Sequence, residues 1–227
     1  MTKVLIFCAG FGRRWNDFKG IRKHMIMIDG ETLLDRMIRQ CHELTECEII
    51  VNGPFENNEW YNRPGAILNP VEARFDECPA VYALDKCLNS INQWSLSDRT
   101  VCLLGDVWYE DKDMEHVMNS PWKTFVVYNR AGKSHLTNKA WGEDYACSFY
   151  PKDHPLIKES LDSYSSDEDI TPWDWVEKKF MERDNKKHRY ETTGFTEDFD
   201  LPNDLFRWLK ARDKYRYEKS CCIVKGI

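Results

Sequence analysis

A loop near the amino terminus combines glycine with a concentration of positive charge. The segment CAGFGRRWNDFKGIRKHM, residues 8–25, has two glycines two positions apart and five basic side chains against one acidic one. The chain as a whole is acidic, with a formal net charge of −6. Glycine lets backbone N–H groups approach an anion, and arginine and lysine bind phosphate oxygens. The segment therefore predicts a loop around a nucleoside triphosphate, although composition alone favours a solvated basic loop.

The two glycines also begin the pattern of a dinucleotide-binding turn. That pattern needs a third glycine at the position of Trp15, followed by a helix with regular apolar spacing. Clustered charge follows Trp15 instead. The residues therefore disfavour a nicotinamide or flavin site.

Apolar segments that alternate between strand and helix patterns surround this loop. Such alternation predicts an α/β protein with three layers and a mainly parallel, mixed central sheet, whose ligands bind at the carboxyl ends of the strands. Gly10 and Asp106 follow two of the predicted strands. We expect a single domain over residues 1–227. The predicted strands are 3–10, 47–53, 65–69, 99–106, 123–129 and 146–150, and the predicted helices are 31–44, 79–91, 156–169, 171–184 and 201–220.

The composition excludes several classes of function. A net negative charge disfavours general binding to nucleic acid, which needs a basic surface. No apolar run reaches the roughly 20 residues that span a bilayer. The nine cysteines lack the paired spacing of a zinc or redox site. We therefore expect a cytoplasmic protein without a nucleic-acid or membrane partner, and leave open whether it forms an oligomer.

Three segments, in order along the chain, resemble the nucleotidyltransferases that activate sugar phosphates and phosphocholine, enzymes with a Rossmann-like fold of the GT-A type. They are AGFGRRW with the following KHMIMIDGETLLDRMI, then LLGDVWYED, and finally EDFDLPNDLFRWL. Arg22 stands where this family usually has proline. The segment 68–84, which matches the family's base-reading region, lacks the usual Asn and Ser around residues 78–80. The resemblance therefore leaves the base and the acceptor open.

The resemblance implies a nucleotidyl transfer that depends on Mg²⁺. A nucleoside triphosphate would react with a small phosphorylated acceptor, such as a sugar 1-phosphate or phosphocholine, and release pyrophosphate. By the same resemblance, the triphosphate would be bound by the backbone at Ala9, Gly10 and Gly12 and by the side chains of Arg13 and Arg14.

The resemblance also suggests which residues act on the reacting groups. Lys23 would bridge the acceptor phosphate and the α-phosphate. Asp106 and Asp200 are the candidate magnesium ligands, because Mg²⁺ prefers hard oxygen donors, and Asp198 is a further candidate. Asp204 is expected to start the last helix.

Two other functions and one other site stay open at this point. A glycosyltransferase of the related fold would use Asp198 and Asp200 as a D-x-D metal motif. A non-catalytic nucleotide-binding protein would fit the altered base-reading segment. Trp173 and Trp175 on either side of an aspartate could hold a quaternary ammonium group, although core packing is the favoured role.

Overall fold

The first strand, β1 (Thr2–Phe7), lies in the interior of a seven-stranded sheet in the computed structural model. Its residues Val4, Leu5 and Ile6 are fully buried, because helices cover both faces of the sheet. The structure describes residues 1–10, 14–16, 18–55, 58–71, 79–165, 170–192 and 194–224.

Ten further strands and six helices follow β1 in the described residues. The strands are β2 (Met27–Ile28), β3 (Glu31–Thr32), β4 (Cys47–Pro54), β5 (Ile67–Val71), β6 (Thr100–Leu104), β7 (Val107–Trp108), β8 (Val126–Arg130), β9 (Glu143–Phe149), β10 (Arg189–Glu191) and β11 (Glu197–Asp198). The helices are α1 (Leu33–Leu44), α2 (Pro79–Asn89), α3 (Asp111–Met118), α4 (His154–Asp162), α5 (Pro172–Asp184) and α6 (Pro202–Val224).

The central sheet has the order β10-β8-β9-β6-β1-β4-β5. The neighbouring strands are parallel except at β9, which is antiparallel to both β6 and β8. Two small antiparallel pairs, β2 with β3 and β7 with β11, lie outside this sheet. The predicted mixed and mainly parallel sheet is therefore confirmed.

Two apolar cores lie on opposite faces of the sheet. One core contains side chains of α1, α3 and α6, and the other contains side chains of α2, α4 and α5. Val4 and Ile6 of β1 belong to the first core, and Leu5 and Phe7 to the second. This alternation along the strand produces the predicted three layers.

Helix α5 shows how the sequence sets an element's ends. The Thr171 hydroxyl accepts a hydrogen bond of 3.0 Å from the Asp174 backbone N–H, and Pro172 fills the first helical position. Asn185 ends the helix in the left-handed region, at a φ of 54°. The sequence prediction for this helix agrees with the structure to within one residue.

The short elements of the second half differ from the prediction. The helix predicted over 156–169 covers His154–Asp162 instead. Helix α3 and strands β7, β10 and β11 were not predicted, because each is too short to show a clear apolar period.

No helix among the described residues is long and apolar enough to cross a membrane.

Trp173 and Trp175 do not form a paired aromatic site. They lie two positions apart on a helix, which places their side chains about 200° apart around its axis. Trp173 is buried in the second core, with its ring centroid 6.2 Å from that of Phe125. Lys179 Nζ lies 4.6 Å from the Trp175 ring centroid. The favoured role of core packing is therefore confirmed for Trp173.

Candidate active site

The site lies where β1 and β6 end side by side. Beyond these strands the Gly105 N–H donates a hydrogen bond of 3.0 Å to the Phe7 carbonyl. A side chain at Gly105 would place its Cβ 2.8 Å from that carbonyl oxygen and still closer to Cys8 Sγ. Glycine is therefore required for this close approach, which holds Asp106 against the end of β1.

The basic loop places Lys23 beside Asp106. Lys23 Nζ forms an ion pair with Asp106 Oδ2, and only 11% of the lysine side chain is exposed. Burial alone would lower the pKa of Lys23, but the carboxylates of Asp106 and Asp200 raise it above its usual value. Lys23 is therefore charged at neutral pH.

The same contact acts on the carboxylate. Burial alone would raise the pKa of Asp106, but the Lys23 ammonium holds it well below its usual range. His24, next to Lys23, is buried, and this burial lowers its pKa to about 3. The imidazole is therefore neutral, and its Nδ1 lies 3.1 Å from the Tyr61 hydroxyl.

Arg22 has a backbone conformation that proline can also adopt. Its φ is −65° and its ψ is 140°, and proline fixes φ near −65°. The loop path into Lys23 is therefore compatible with either residue. This backbone geometry explains why arginine can occupy the position where the nucleotidyltransferases that this chain resembles usually have proline.

The pairing of β7 with β11 brings Asp198 and Asp200, here called the late aspartates, close to Asp106. Asp198 lies opposite Val107 in this pair, and the Phe199 N–H donates a hydrogen bond of 3.3 Å to the Asp106 carbonyl. Asp200 follows directly. This small two-stranded sheet, outside the main sheet, places Asp200 on the same side as Asp106.

Asp200 contacts three basic side chains. Its Oδ2 lies 2.9 Å from an Arg14 terminal nitrogen and 3.1 Å from Lys139 Nζ, and its Oδ1 lies 3.9 Å from Lys23 Nζ. The Arg14 side chain is 64% exposed, whereas both lysines are buried. Two predicted cations and one unpredicted cation therefore meet at a single carboxylate.

Lys139 and Glu143 were not identified in the sequence. Ligand oxygens of Glu143, Asp198 and Asp200, here called the carboxylate cluster, all lie within 4.8 Å of one another. Lys139 Nζ contacts all three residues. Neither residue lies in the three segments that carry the family resemblance, and no spacing motif marks them. Only the fold brings them to the late aspartates.

The crowding of charges in the cluster changes its protonation equilibria. Burial raises the pKa of Asp198, and the neighbouring Glu143 carboxylate adds to this effect. Burial alone would lower the pKa of Lys139, but Asp198 and Asp200 raise it. The Lys139 ammonium therefore offsets part of the repulsion among these carboxylates.

Glu197, the first residue of β11, anchors this strand beside Asp198. Its carboxylate is fully buried and accepts hydrogen bonds from Arg130 at 3.3 Å and from the Tyr145 hydroxyl at 3.2 Å. The Ser134 hydroxyl donates a third bond to it. A buried charge with this many donors is held rigidly, so the neighbouring Asp198 is held as well.

The last helix, α6, begins at Pro202, two residues after Asp200. The Leu201 N–H donates a hydrogen bond of 2.9 Å to Asp204 Oδ2, and the Asp204 N–H donates one of 2.9 Å to the Leu201 carbonyl. The expected role of Asp204 at the start of α6 is confirmed by these bonds.

The remaining predicted positions lie around the amino-terminal turn. Ala9 is buried, and the neighbouring Cys8 N–H donates a hydrogen bond of 2.8 Å to the Asn52 carbonyl. Gly10 follows at the carboxyl end of β1. Gly12 and Arg13 lie outside the described residues, as do residues 72–78 of the base-reading segment.

The donor chemistry of the site fits a divalent cation. Carboxylates of Asp106 and Asp200 both approach Lys23 Nζ, so their oxygens converge on one region. Asp198 Oδ1 is buried and has no hydrogen-bond partner among the described residues. Hard carboxylate oxygens are the ligands that Mg²⁺ takes from proteins.

Comparison with solved structures supports the architecture. The fold is similar to UDP-glucose pyrophosphorylase complexed with UDP-glucose, with a TM-score of 0.64, 10% identity, and coverage of 96% of this chain and 99% of that chain. It is also similar to 4-diphosphocytidyl-2C-methyl-D-erythritol synthase from Anaerococcus prevotii, with a TM-score of 0.62, 12% identity and coverage of 93% and 96%.

A third similar structure is CTP:phosphocholine cytidylyltransferase from Streptococcus pneumoniae, with a TM-score of 0.56 and 14% identity over 91% of this chain and 96% of that chain. At these identities the likeness establishes the fold. No curated protein sequence gives a significant match.

The family is established by sequence. The family model of the MobA-like NTP transferase domain matches residues 4–145, which is more than half of the chain and includes Lys23, Asp106 and Lys139. The chain therefore belongs to the MobA-like NTP transferase domain family and is a nucleotidyltransferase.

Proposed function

We propose that this enzyme joins the nucleotidyl group of a nucleoside triphosphate to a small phosphorylated acceptor, with Mg²⁺ as cofactor. The observation that carries this proposal is the convergence of Arg14, Lys23, Asp106 and Asp200, which come from three separate segments of the chain. Such a group of two cations and two carboxylates suits a reaction between two phosphates.

The reaction is an in-line displacement at the α-phosphorus. An oxygen of the acceptor phosphate attacks this phosphorus and forms a new P–O bond. The bond between the α-phosphorus and the oxygen that bridges to the β-phosphate breaks, and that oxygen leaves with pyrophosphate. The chemistry needs neutralisation of charge and positioning more than covalent participation by the protein.

Arg14 and Lys23 have distinct roles in this proposal. The exposed Arg14 guanidinium can leave Asp200 and bind the β- and γ-phosphate oxygens, because a guanidinium binds phosphate in a bidentate manner. The backbone turn at Ala9, Gly10 and Gly12, together with Arg13, would hold the rest of the triphosphate. These donors fix the leaving group.

Lys23 is buried and charged, so it supplies a fixed positive charge where the two phosphates meet. Its ammonium would stabilise the negative charge that develops on the α-phosphate and would also hold the acceptor phosphate. Asp106 keeps the lysine oriented. Lys23 therefore acts mainly in the transition state.

Asp106 and Asp200 would hold Mg²⁺, with Asp198 as a neighbouring carboxylate. When bound, the ion would neutralise charge on the phosphate oxygens and orient them for the displacement. The chain's own part is to hold the two carboxylates close together and to keep Asp106 ionised. The Lys23 contact does this by lowering the pKa of Asp106.

Three similar structures carry names that suggest acceptors. The names are UDP-glucose pyrophosphorylase, CTP:phosphocholine cytidylyltransferase and 4-diphosphocytidyl-2C-methyl-D-erythritol synthase. We therefore propose a sugar 1-phosphate or a phosphorylated alcohol as acceptor, in a cytoplasmic reaction that yields a nucleoside diphosphate sugar or alcohol.

The test is an assay of pyrophosphate release. The enzyme is incubated with Mg²⁺, each of the four nucleoside triphosphates, and a panel of sugar 1-phosphates and phosphorylated alcohols. Release that needs both substrates and is lost in Lys23→Ala supports the proposal. Transfer from a preformed nucleotide sugar would support a glycosyltransferase, and nucleotide binding without turnover would support a non-catalytic protein.

A further inference from the structure

Lys139 has an unusual environment for a lysine. Its side chain is 5% exposed, and its ammonium lies 3.1 Å from Asp200 Oδ2 and 3.6 Å from Glu143 Oε1, with a further contact to Asp198. Lysine is almost never buried unless its charge is paired. Here the ammonium lies at the centre of the carboxylate cluster.

The loop that carries Lys139 is built to place it there. The Ser134 N–H donates a hydrogen bond of 2.9 Å to the Lys139 carbonyl. The Ser134 hydroxyl accepts bonds from the N–H groups of Leu136 and Thr137 at 3.1 and 3.0 Å, and donates one to the buried Glu197. The loop is therefore fastened to β11, the strand that holds the cluster's aspartates.

The cluster has the composition of a cation site in its own right. Three carboxylates offer oxygens within 4.8 Å of one another, and Lys139 contacts all three, whereas Arg14 and Lys23 reach the cluster at Asp200. Asp198 is 6% exposed, its Oδ2 binds the ammonium, and its Oδ1 has no hydrogen-bond partner among the described residues. A buried carboxylate oxygen without a donor is the kind of group that a metal ion satisfies.

We propose that the Lys139 ammonium occupies a second cation site in the carboxylate cluster and keeps a second divalent ion out of it. Lys139 is thus a positioning residue. It fixes Asp200 through Oδ2, the oxygen that Arg14 also contacts, so that Oδ1 of this carboxylate faces Lys23. The enzyme then uses one divalent ion beside Asp106, a consequence that rests on the proposed function, whereas the exclusion from the cluster does not.

The test counts bound Mn²⁺ in the full chain without nucleotide, by electron paramagnetic resonance of the free ion. Lys139→Gln is expected to bind one more Mn²⁺ per chain than the wild type, with an affinity at the cluster roughly tenfold higher or more, because a repelling charge a few ångströms away is removed. Lys133→Gln is the matched control, since Lys133 is an exposed lysine of the same loop. This control is expected to bind as many ions as the wild type.

Three further variants locate the additional ion. Lys139→Arg keeps the charge and is expected to gain no ion. Combining Lys139→Gln with Asp198→Asn is expected to abolish the additional ion, whereas combining it with Asp106→Asn is expected to retain it. The proposal is overturned if Lys139→Gln binds no more Mn²⁺ than the wild type, or if Lys139→Arg gains an ion as well.

Thermal unfolding gives a second readout. Mn²⁺ is expected to raise the Tm of Lys139→Gln by more than it raises the Tm of the wild type, because an ion bound only by the folded state stabilises it. A variant that stays unfolded even with Mn²⁺ contradicts the proposal, since the ion should replace the ammonium. The Mn²⁺ count and the Tm shift do not depend on the assay of pyrophosphate release. Failure of the second-site proposal is therefore distinguishable from failure of the proposed function.

Discussion

Lys23 Nζ lies 3.9 Å from Asp200 Oδ1, on the opposite side of the carboxylate from the oxygen that contacts Arg14 and Lys139. The contact joins the basic loop that follows β1 to the segment between β11 and α6. One aspartate therefore holds together the phosphate-binding side and the carboxylate side of the candidate site.

Replacing Lys23 by alanine should lower kcat roughly 100- to 1,000-fold while changing the Kd for the nucleoside triphosphate only a few-fold, because its charge acts mainly on the transition state. Steady-state kinetics and nucleotide titration measure the two effects. Lys19→Ala, in the same loop, is the control and should retain near-normal turnover. A Lys23→Ala enzyme with normal kcat would remove this residue from the mechanism.

Asp200→Asn should raise the Mg²⁺ concentration needed for half-maximal activity, because a neutral amide is a weaker ligand for a hard cation. Titration of activity with Mg²⁺ measures this concentration. Asp204→Ala is the comparison variant, since Asp204 bonds the first turn of α6 rather than the cluster.

The Asp204→Ala variant should lose about 1 kcal/mol of unfolding free energy, the usual cost of a lost helix cap, with an unchanged Mg²⁺ requirement. Denaturant unfolding measures the first quantity. Equal Mg²⁺ requirements in both variants would argue against Asp200 as a ligand.

Gly105→Ala should destabilise the fold by about 1–3 kcal/mol and reduce activity, because the new Cβ would meet the Phe7 carbonyl and displace Asp106. Gly53→Ala is the matched control. A Cβ there would lie 3.2 Å from side-chain atoms of Leu68 and Tyr61, which can move more easily than backbone. A Gly105→Ala enzyme as stable as Gly53→Ala would show that the close approach is unimportant.

Stability should fall as the pH drops below about 6.5, in part through His24. The unfolded chain protonates this imidazole near pH 6.5, whereas burial lowers the folded pKa to about 3. The unfolded state therefore binds the additional proton, which costs up to about 1.4 kcal/mol per pH unit between these values. The contribution of His24 is complete above pH 6.5 and is lost as the pH falls.

Unfolding free energies at pH 7.5, 6.5, 5.5 and 4.5 measure this dependence. His24→Gln cannot take up a proton, so its stability should change less steeply than that of the wild type below pH 6.5. Identical slopes for the two proteins would mean that other groups cause the loss.

The long elements and the amino-terminal half of the site were predictable from local patterns. The buried run of β1, the Thr171 cap of α5 and the glycine before Asp106 each have a short-range physical signal. Helix α3 and strand β11 lack one, because their few residues show no period and are stabilised by contacts with distant segments.

The sequence by itself determined the basic loop, the alternation that sets the three layers, and the acidic residues at the ends of predicted strands. Only the tertiary structure decided which charges meet. Lys139 and Glu143 join the late aspartates because the Ser134 loop is fastened to Glu197 and β11 pairs with β7. Those contacts link residues far apart in the chain, and spacing along a sequence carries no information about them.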